Sequence, residues 1–325
     1  MIRFDSVSKV YDDQTVAVDD VSFEVPAGET VTIVGPSGCG KTTTMKMING
    51  LVEPTEGTVY VDGTPLADVD TIEHRRNVGY VIQKIGLFSH MSVAGNVGIV
   101  PEISGWEQAR IDDRVAELLE LVQLPQSTAD SYPDELSGGQ RQRVGVARAL
   151  AAEPDVLLMD EPFGALDPIT REELQDEFLD IQSELDVSIA FVTHDIDEAL
   201  KMGDRVAVMR AGELVQFDTP KELLANPANE FVAQFLGGDR LLKQLHAMTV
   251  DEVMGDPRAE RSGADDAGLA PDTDLKTAMQ MLLAADRDLV PVVENGDVVG
   301  SLSEQDIERA VDAADDALAT EVAHG

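Results

Sequence analysis

The sequence predicts an α/β fold built on a parallel core sheet. Three apolar runs point to it: residues 31–34, 156–159 and 188–192. Each is short and mostly apolar, with Thr32 and Ser188 as the exceptions, as strands buried on both faces are. The first two are each followed by a helical stretch, 43–50 and 169–185, and strands alternating with helices favour an α/β architecture.

The 325 residues suggest about two domains and allow a large core. No run approaches the roughly 18 apolar residues of a membrane span. The opening Met1-Ile2-Arg3-Phe4-Asp5 enters strand-like sequence directly, so no signal peptide is expected. Cys39 is the single cysteine, which excludes an internal disulfide and fits a cytoplasmic setting. The 62 acidic and 24 basic residues give a net charge of −38. A nucleic-acid partner is disfavoured, because no basic surface of the needed size exists. Adhesion to anionic lipid is disfavoured for the same reason. The acid is spread through both halves, which predicts adaptation to a salt-rich cytoplasm where short Debye lengths screen self-repulsion. The alternative is an ordinary acidic cytosolic protein.

Taken in order, residues 2–34 alternate apolar and polar positions and predict strands joined by short turns. Tyr11 lies in one turn, where an aromatic either stacks on a flat ring or packs the turn. Next come Gly35, Pro36, Ser37, Gly38, Cys39, Gly40, Lys41 and Thr42, between the 31–34 strand and the following helix. Strand, glycine-rich turn, Lys-Thr and helix form the phosphate-binding loop pattern. Glycines let successive N–H groups curl inward onto phosphate oxygens, and the helix beginning near Lys41 adds its positive end. Lys41 supplies a point charge for the β- and γ-phosphates; Thr42 offers a hydroxyl to Mg²⁺.

Residues 53–57 form a turn, 57–62 a strand, and Asp62-Gly63 a hairpin signal. Residues 78–82 predict a buried strand ending in Gln83, which either reaches a metal ion or attacking water or is a solvated loop residue. Residues 85–100 are apolar but broken by glycines. They predict an irregular loop, either a docking patch or a buried connection. Residues 107–122 predict a helix, with Ile111, Val115, Leu118, Leu119 and Val122 on one face.

Leu136-Ser137-Gly138-Gly139-Gln140 stands at the start of a second helix. A hydroxyl, free N–H groups and a helix dipole make another anion cradle. Two such cradles in one domain suggest that two copies share one nucleotide. The 156–159 strand ends in Asp160-Glu161, where doubly wound folds place ligands. Asp160 suits a Mg²⁺ shell and Glu161 suits polarising water; the alternative is an acidic loop start. The 188–192 strand ends in Thr193-His194-Asp195, and His194 can donate to a γ-phosphate or be structural.

Five motifs in this order resemble an ABC transporter ATPase subunit: the loop at 35–42, Gln83, Leu-Ser-Gly-Gly-Gln at 136–140, Val-Leu-Leu-Met-Asp-Glu at 156–161, and His194. The likeness covers about residues 1–236. It implies a P-loop NTPase domain with a parallel core sheet, an antiparallel β subdomain and a helical subdomain. It also implies a homodimer that sandwiches two ATP molecules. Each would lie between the Lys41 loop, extended to Thr43, of one copy and Ser137, Gly138, Gly139 and Gln140 of the other. By resemblance Tyr11 stacks on adenine, Asp167 speaks across the dimer, Glu161 is the general base and His194 senses the γ-phosphate. Thr42, Gln83 and Asp160 would then hold Mg²⁺, and the region from Leu87 to Val100 would dock a membrane permease.

Residues 80–91, Gly105-Trp106 and Met45-Lys46-Met47-Ile48-Asn49 resemble the branch importing glycine betaine, choline, carnitine or proline betaine. An extracellular substrate-binding protein is then implied, with the ATPase peripheral on the inner face of the cell membrane. Other readings are an importer of another solute and a soluble ABC ATPase of the repair or translation type.

After a 237–246 linker, residues 247–313 resemble one CBS motif, a small α/β module. Its predicted parts are a 274–285 helix, strands at 290–293 and 298–300 around Asn295-Gly296, and a 303–311 helix. Such motifs bind adenine nucleotides, which implies Ser303 near phosphate and Asp306 near ribose. They usually occur in pairs, and only one is found here: either pairing across a dimer restores the usual unit, or the module is purely a dimer contact, with a regulatory or dimerising role expected in both cases. The acidic tail 314–325 is expected to be frayed.

Overall fold

A computed structural model describes residues 2–82, 86–164, 166–184 and 187–237; beyond these it describes 243, 245, 247–257, 268–285, 289–294, 297–303, 305–307 and 309–310. Gln83, the Asn295-Gly296 turn, most of the 237–246 linker and the 314–325 tail therefore lie outside the described residues. The chain divides into two compact units, Met1–Phe217 and Asp218–Gly325. The sequence-based boundary falls later, at 236.

The first unit runs β1 (Ile2–Val10), β2 (Val16–Val25), β3 (Thr30–Val34), α1 (Lys41–Ile48), β4 (Glu56–Val61) and β5 (Thr64–Pro65). It continues through α2 (Thr71–Arg76), β6 (Val78–Val81), α3 (Val93–Ile103), α4 (Gln108–Leu121), α5 (Gly138–Leu150) and β7 (Val156–Asp160). It closes with α6 (Pro168–Glu184), β8 (Ser188–Thr193), α7 (Ile196–Met202), β9 (Arg205–Arg210) and β10 (Glu213–Asp218). One sheet has the order β2-β1-β4-β5 and pairs antiparallel; the other has the order β10-β9-β3-β8-β7-β6. In the second sheet β9, β3, β8, β7 and β6 are parallel neighbours.

The apolar runs follow from this layering. Along β7, Leu157 and Met159 enter one core while Val156 and Leu158 enter another. Along β8, Ile189 and Phe191 share the first core, and Ala190 and Val192 the second. Side chains alternate between the faces of a strand, and here both faces are covered, so both sets of positions are predominantly apolar, with Thr32, Ser188 and Thr193 buried among them. Burying each large side chain contributes roughly 1.5–3 kcal/mol. The first core also takes Ile111, Val115, Leu118, Leu119 and Val122, so the apolar face expected of α4 is the face it buries.

The irregular loop expected over 85–100 is corrected in its second half, where α3 is a helix from Val93 onward. Ser92 caps it by accepting from the Gly95 N–H at 3.2 Å. Gly98, which reads as a breaker, is a packing position instead. A Cβ on Gly98 would lie 2.8 Å from Ile111 Cγ2, so glycine lets α3 approach α4.

The second unit holds α8 (Pro220–Ala225), α9 (Glu230–Leu236), α10 (Val250–Val253), α11 (Leu275–Ala285), β11 (Leu289–Glu294) and β12 (Asp297–Ser303). β11 and β12 pair antiparallel. Leu269 bridges to Val292 and Gly255 to Ser301, covering one side of each strand. Val250, Leu275, Leu282, Val292 and Leu302 are among its buried core residues. Among the described residues, no helix is long and apolar enough to cross a membrane.

Candidate functional site

The register of the parallel sheet gathers the sequence motifs on one edge. Val34 pairs with Thr193, Asp160 with Val192, and Val81 with Met159. The chain therefore leaves at Gly35, His194, Glu161 and Ile82 side by side, at the carboxyl ends where open α/β sheets bind ligands. Gln83 follows Ile82 and lies outside the described residues.

The glycine-rich loop leads into α1. Gly40 enters the helix at φ 109°, and a Cβ there would meet the Ala17 carbonyl oxygen at 2.3 Å. Gly38 has φ 80° with open space where a Cβ would stand, so its backbone is accessible. This is a concave run of backbone in front of a helix N-terminus, suited to phosphate oxygens. Lys41 is buried to 6% exposure; its ammonium donates to the carbonyls of Gly35 at 2.6 Å and Pro36 at 3.2 Å. Pro36, Ser37 and Thr42 are exposed; Cys39 is buried, with its Sγ 3.8 Å from Lys41 Nζ. Tyr11 belongs to the same neighbourhood: its hydroxyl lies 3.4 Å from Thr43 Oγ1 on α1, and the residue is 38% exposed. Lys9 Nζ stands 5.5 Å from that ring's centroid.

Burial, with the Glu161 carboxylate second, raises the Asp160 carboxyl above its usual range; Lys46 and Lys41 oppose this. Tyr80 on β6 hydrogen-bonds Asp160, and its phenol is pushed up to about 12, by burial first and Asp160 second. The Thr42 hydroxyl and the Asp160 carboxylate are oxygen donors, the type a hard divalent cation takes. A cation would also favour the ionised form of a carboxyl raised in this way. The residues present therefore fit Mg²⁺.

Glu161 adopts φ 45°, uncommon for a residue with a side chain. Its N–H donates to the Val192 carbonyl at 2.8 Å, extending the strand pairing past β7. Phe163 anchors the loop, with its ring 6.0 Å from Phe191 and 6.3 Å from Phe178. The result is a Glu161 carboxylate 3.2 Å from His194 Nδ1, with the imidazole more exposed at 57% than the carboxylate at 22%.

Ser137 and Gln140 are engaged with each other at the start of α5. Ser137 Oγ accepts from the Gln140 N–H at 3.2 Å, and Gln140 Oε1 accepts from the Ser137 N–H at 2.9 Å. This is a capping box, which secures a helix N-terminus. Gly138 and Gly139 stand beside Leu166, Thr170 and Leu174, and none of the described hydrogen bonds ties them to the Lys41 loop. Asp167 is exposed and caps α6 by accepting from the Thr170 N–H at 3.2 Å. That hydrogen-bonding, side chain first, lowers the Asp167 carboxyl below the usual range.

In the second unit Ser303 and Asp306 are likewise bonded to each other. Asp306 Oδ2 accepts from the Ser303 N–H at 3.0 Å and from the Ser303 hydroxyl at 2.5 Å. Arg309 Nη2 stands 3.3 Å from Asp306 Oδ1.

Sequence reasoning missed Tyr80, Asn96, Arg171 and Glu198. Tyr80 reads as one residue of a buried strand, and its bond to Asp160 exists only once β6 and β7 pair.

Comparison with known proteins agrees with this geometry. A family model described as ABC transporter matches residues 18–164, and one described as CBS domain matches 267–313. The carnitine transport ATP-binding protein OpuCA of Listeria monocytogenes serotype 1/2a is 47% identical over 300 residues, 92% of this chain and 74% of the relative. The glycine betaine uptake system ATP-binding protein YehX of Escherichia coli K12 is 46% identical over 309 residues, 94% and 99% of the two. A dimeric structure of an ATP-binding cassette in a post-hydrolysis state with ADP and Pi superposes with a TM-score of 0.61 at 33% identity, covering 68% of this chain and 99% of that one. With phosphate loop, carboxylate pair and histidine on one sheet edge, and relatives matched over most of both lengths, the chain belongs to the ABC transporter family of ATP-binding proteins and carries a CBS domain.

Proposed function

We propose that this chain is the ATP-hydrolysing subunit of an importer for a quaternary-amine osmoprotectant, with glycine betaine, carnitine, choline and proline betaine as the solute class. The observation that carries the ATPase half is the sheet register that lines up the Lys41 loop, Asp160-Glu161 and His194. The solute half is supported by identity to the carnitine and glycine betaine relatives.

In this reading Lys41 turns from its loop carbonyls to the β- and γ-phosphates, and Tyr11 stacks on adenine. Thr42 and Asp160 hold Mg²⁺, joined by Gln83; the ion would neutralise charge building on the phosphates. Glu161 accepts the proton of the attacking water. His194, oriented by Glu161, donates to the γ-phosphate. Hydrolysis needs a second copy, whose Ser137, Gly138, Gly139 and Gln140 close the nucleotide from the other side, with Asp167 at the interface. Closure and reopening are then a two-state element driven by ATP. The complex would sit on the inner face of the cell membrane, on a permease docked near residues 87–100 and served by an extracellular substrate-binding protein. The CBS domain would regulate, by pairing across the dimer or by taking an adenine nucleotide near Ser303 and Asp306. A nucleotide there must compete with the capping bonds these two side chains make.

The test is uptake. The gene, expressed with its permease and binding protein in a strain lacking osmoprotectant importers, should restore accumulation of labelled glycine betaine or carnitine at high osmolarity. Lys41→Ala should abolish it. ATP-dependent accumulation of an unrelated solute instead would overturn the solute assignment and leave the ATPase assignment standing.

A further inference from the structure

A cavity beside the candidate site is lined by Glu161, Gly164, Arg171, Thr193, His194, Asp195 and Glu198. Arg171 is the one lysine or arginine among them, facing three carboxylates. Its side chain reaches two loops at once. Nη2 donates to the carbonyl of Leu166, the residue before Asp167, at 3.1 Å. Nη1 stands 3.9 Å from Asp195 Oδ2, on the residue after His194. The Arg171 N–H also donates to the Asp167 carbonyl at 2.9 Å, so backbone and side chain hold the same loop.

The far side of the brace is firmly built. Asp195 Oδ1 accepts from the N–H groups of Asp197 at 2.9 Å and Glu198 at 3.3 Å, capping α7. One turn beyond Arg171 on α6, Gln175 donates to Glu198 Oε1 at 2.9 Å, and both are buried. Helix α6 thus grips the 193–198 segment at two points spaced one turn apart. The Gln175 grip is short, whereas the Arg171 grip is loose: a 3.9 Å ion pair, with Arg171 Nε buried and without a partner. An under-satisfied guanidinium between two loops gains hydrogen bonds if the loops shift toward it.

We propose that Arg171 is a positioning residue that couples the loop bearing Asp167 to the loop bearing His194. Pressure on Asp167 from a second copy moves the start of α6, and Arg171 closes on Asp195 and fixes the orientation of His194, which already stands 3.2 Å from Glu161. The inference rests on the two-copy reading given above and adds a route by which engagement of one copy is felt at the chemistry of its partner.

The experiment uses the full chain and compares wild type, Arg171→Met and Arg171→Lys. Steady-state hydrolysis is measured against ATP concentration. Binding of a fluorescent ATP analogue to the single chain, melting temperature, and ATP-driven dimerisation in a Glu161→Gln background are measured beside it. For Arg171→Met the expectation is a fall in kcat of about tenfold and a Hill coefficient dropping toward one. Analogue binding should stay within about twofold, since the residue acts through loops rather than on nucleotide. Dimerisation should persist. Arg171→Lys keeps the charge but loses the fork, and should recover only part of the cooperativity; it decides the matter alone if the Met variant does not fold. An unchanged Hill coefficient, or a loss of kcat matched by lost analogue binding or lost thermal stability, overturns the proposal. A wild-type chain that never dimerises with ATP removes the two-copy reading first and the coupling with it.

Discussion

At the residue scale, Glu161 combines an uncommon backbone conformation with a side chain 3.2 Å from His194. The anchoring Phe163 and the Val192 bond hold it there. Glu161→Gln keeps the shape and removes the base. It should retain ATP binding, reduce turnover by at least about a hundredfold and accumulate ATP-bound dimer. Phosphate release and gel filtration check this, and normal turnover would take Glu161 out of the chemistry. Glu198 makes a separate prediction. Burial raises its carboxyl above the ordinary 4.5, against hydrogen bonds from Thr193 and Gln175 that lower it. The folded chain therefore binds this proton more tightly than the unfolded chain does. The stability this contributes is complete below about pH 4.5 and is lost as pH rises through the folded value. Glu198→Gln has no such proton to lose, so its melting temperature should fall less than wild type's across that window. Identical pH profiles would mean that burial does not set this carboxyl.

At the element scale, the segment before α3 depends on one side chain. Asn96 is fully buried; its Oδ1 accepts from the Phe88 N–H at 2.7 Å. Its Nδ2 donates to the carbonyls of Phe88, Met91 and Ser92 at 3.0–3.2 Å. Arg148 on α5 holds the same segment through the Gly86 carbonyl at 2.8 Å. Asn96→Ala strands these backbone groups and should destabilise the chain by about 3 kcal/mol. A lower urea midpoint at unchanged slope measures it; a shift below about 0.5 kcal/mol would mean that water replaces the amide. None of this is legible in sequence, where Asn96 is a lone polar residue among glycines and valines. By contrast α4, α5 and β7 were legible, because apolar spacing, a Ser-Gly-Gly helix start and a two-faced strand are local signals.

At the scale of the whole molecule, the net charge of −38 is the dominant fact. With 62 acidic side chains against 24 basic ones there are too few cations to pair most carboxylates, and ion pairs such as Arg110–Glu153 and Arg3–Asp5 are exposed. Such pairs contribute little. Self-repulsion at low ionic strength therefore goes largely unopposed, and multimolar KCl shortens the Debye length below the spacing of surface charges. The melting temperature should rise by several degrees between low and multimolar KCl. Equal stability in both would favour the ordinary acidic protein over adaptation to salt.

The sequence by itself determined the glycine-rich loop ahead of its helix, the helix start at Ser137, the carboxylate pair at a strand end, the alternation of strand and helix, and the excess of acid. Each is carried by neighbours along the chain, where backbone geometry and periodicity act without help from afar. Only the tertiary structure decided which strand ends stand together, that Gly98 is a contact rather than a break, and what Tyr80, Asn96, Arg171 and Glu198 touch. Those facts depend on sheet register and helix packing, which join residues as far apart as Arg171 and Asp195 or Val34 and Thr193. A hydrogen bond or ion pair between distant segments leaves no local trace, because its energy is realised only when the fold has closed around it.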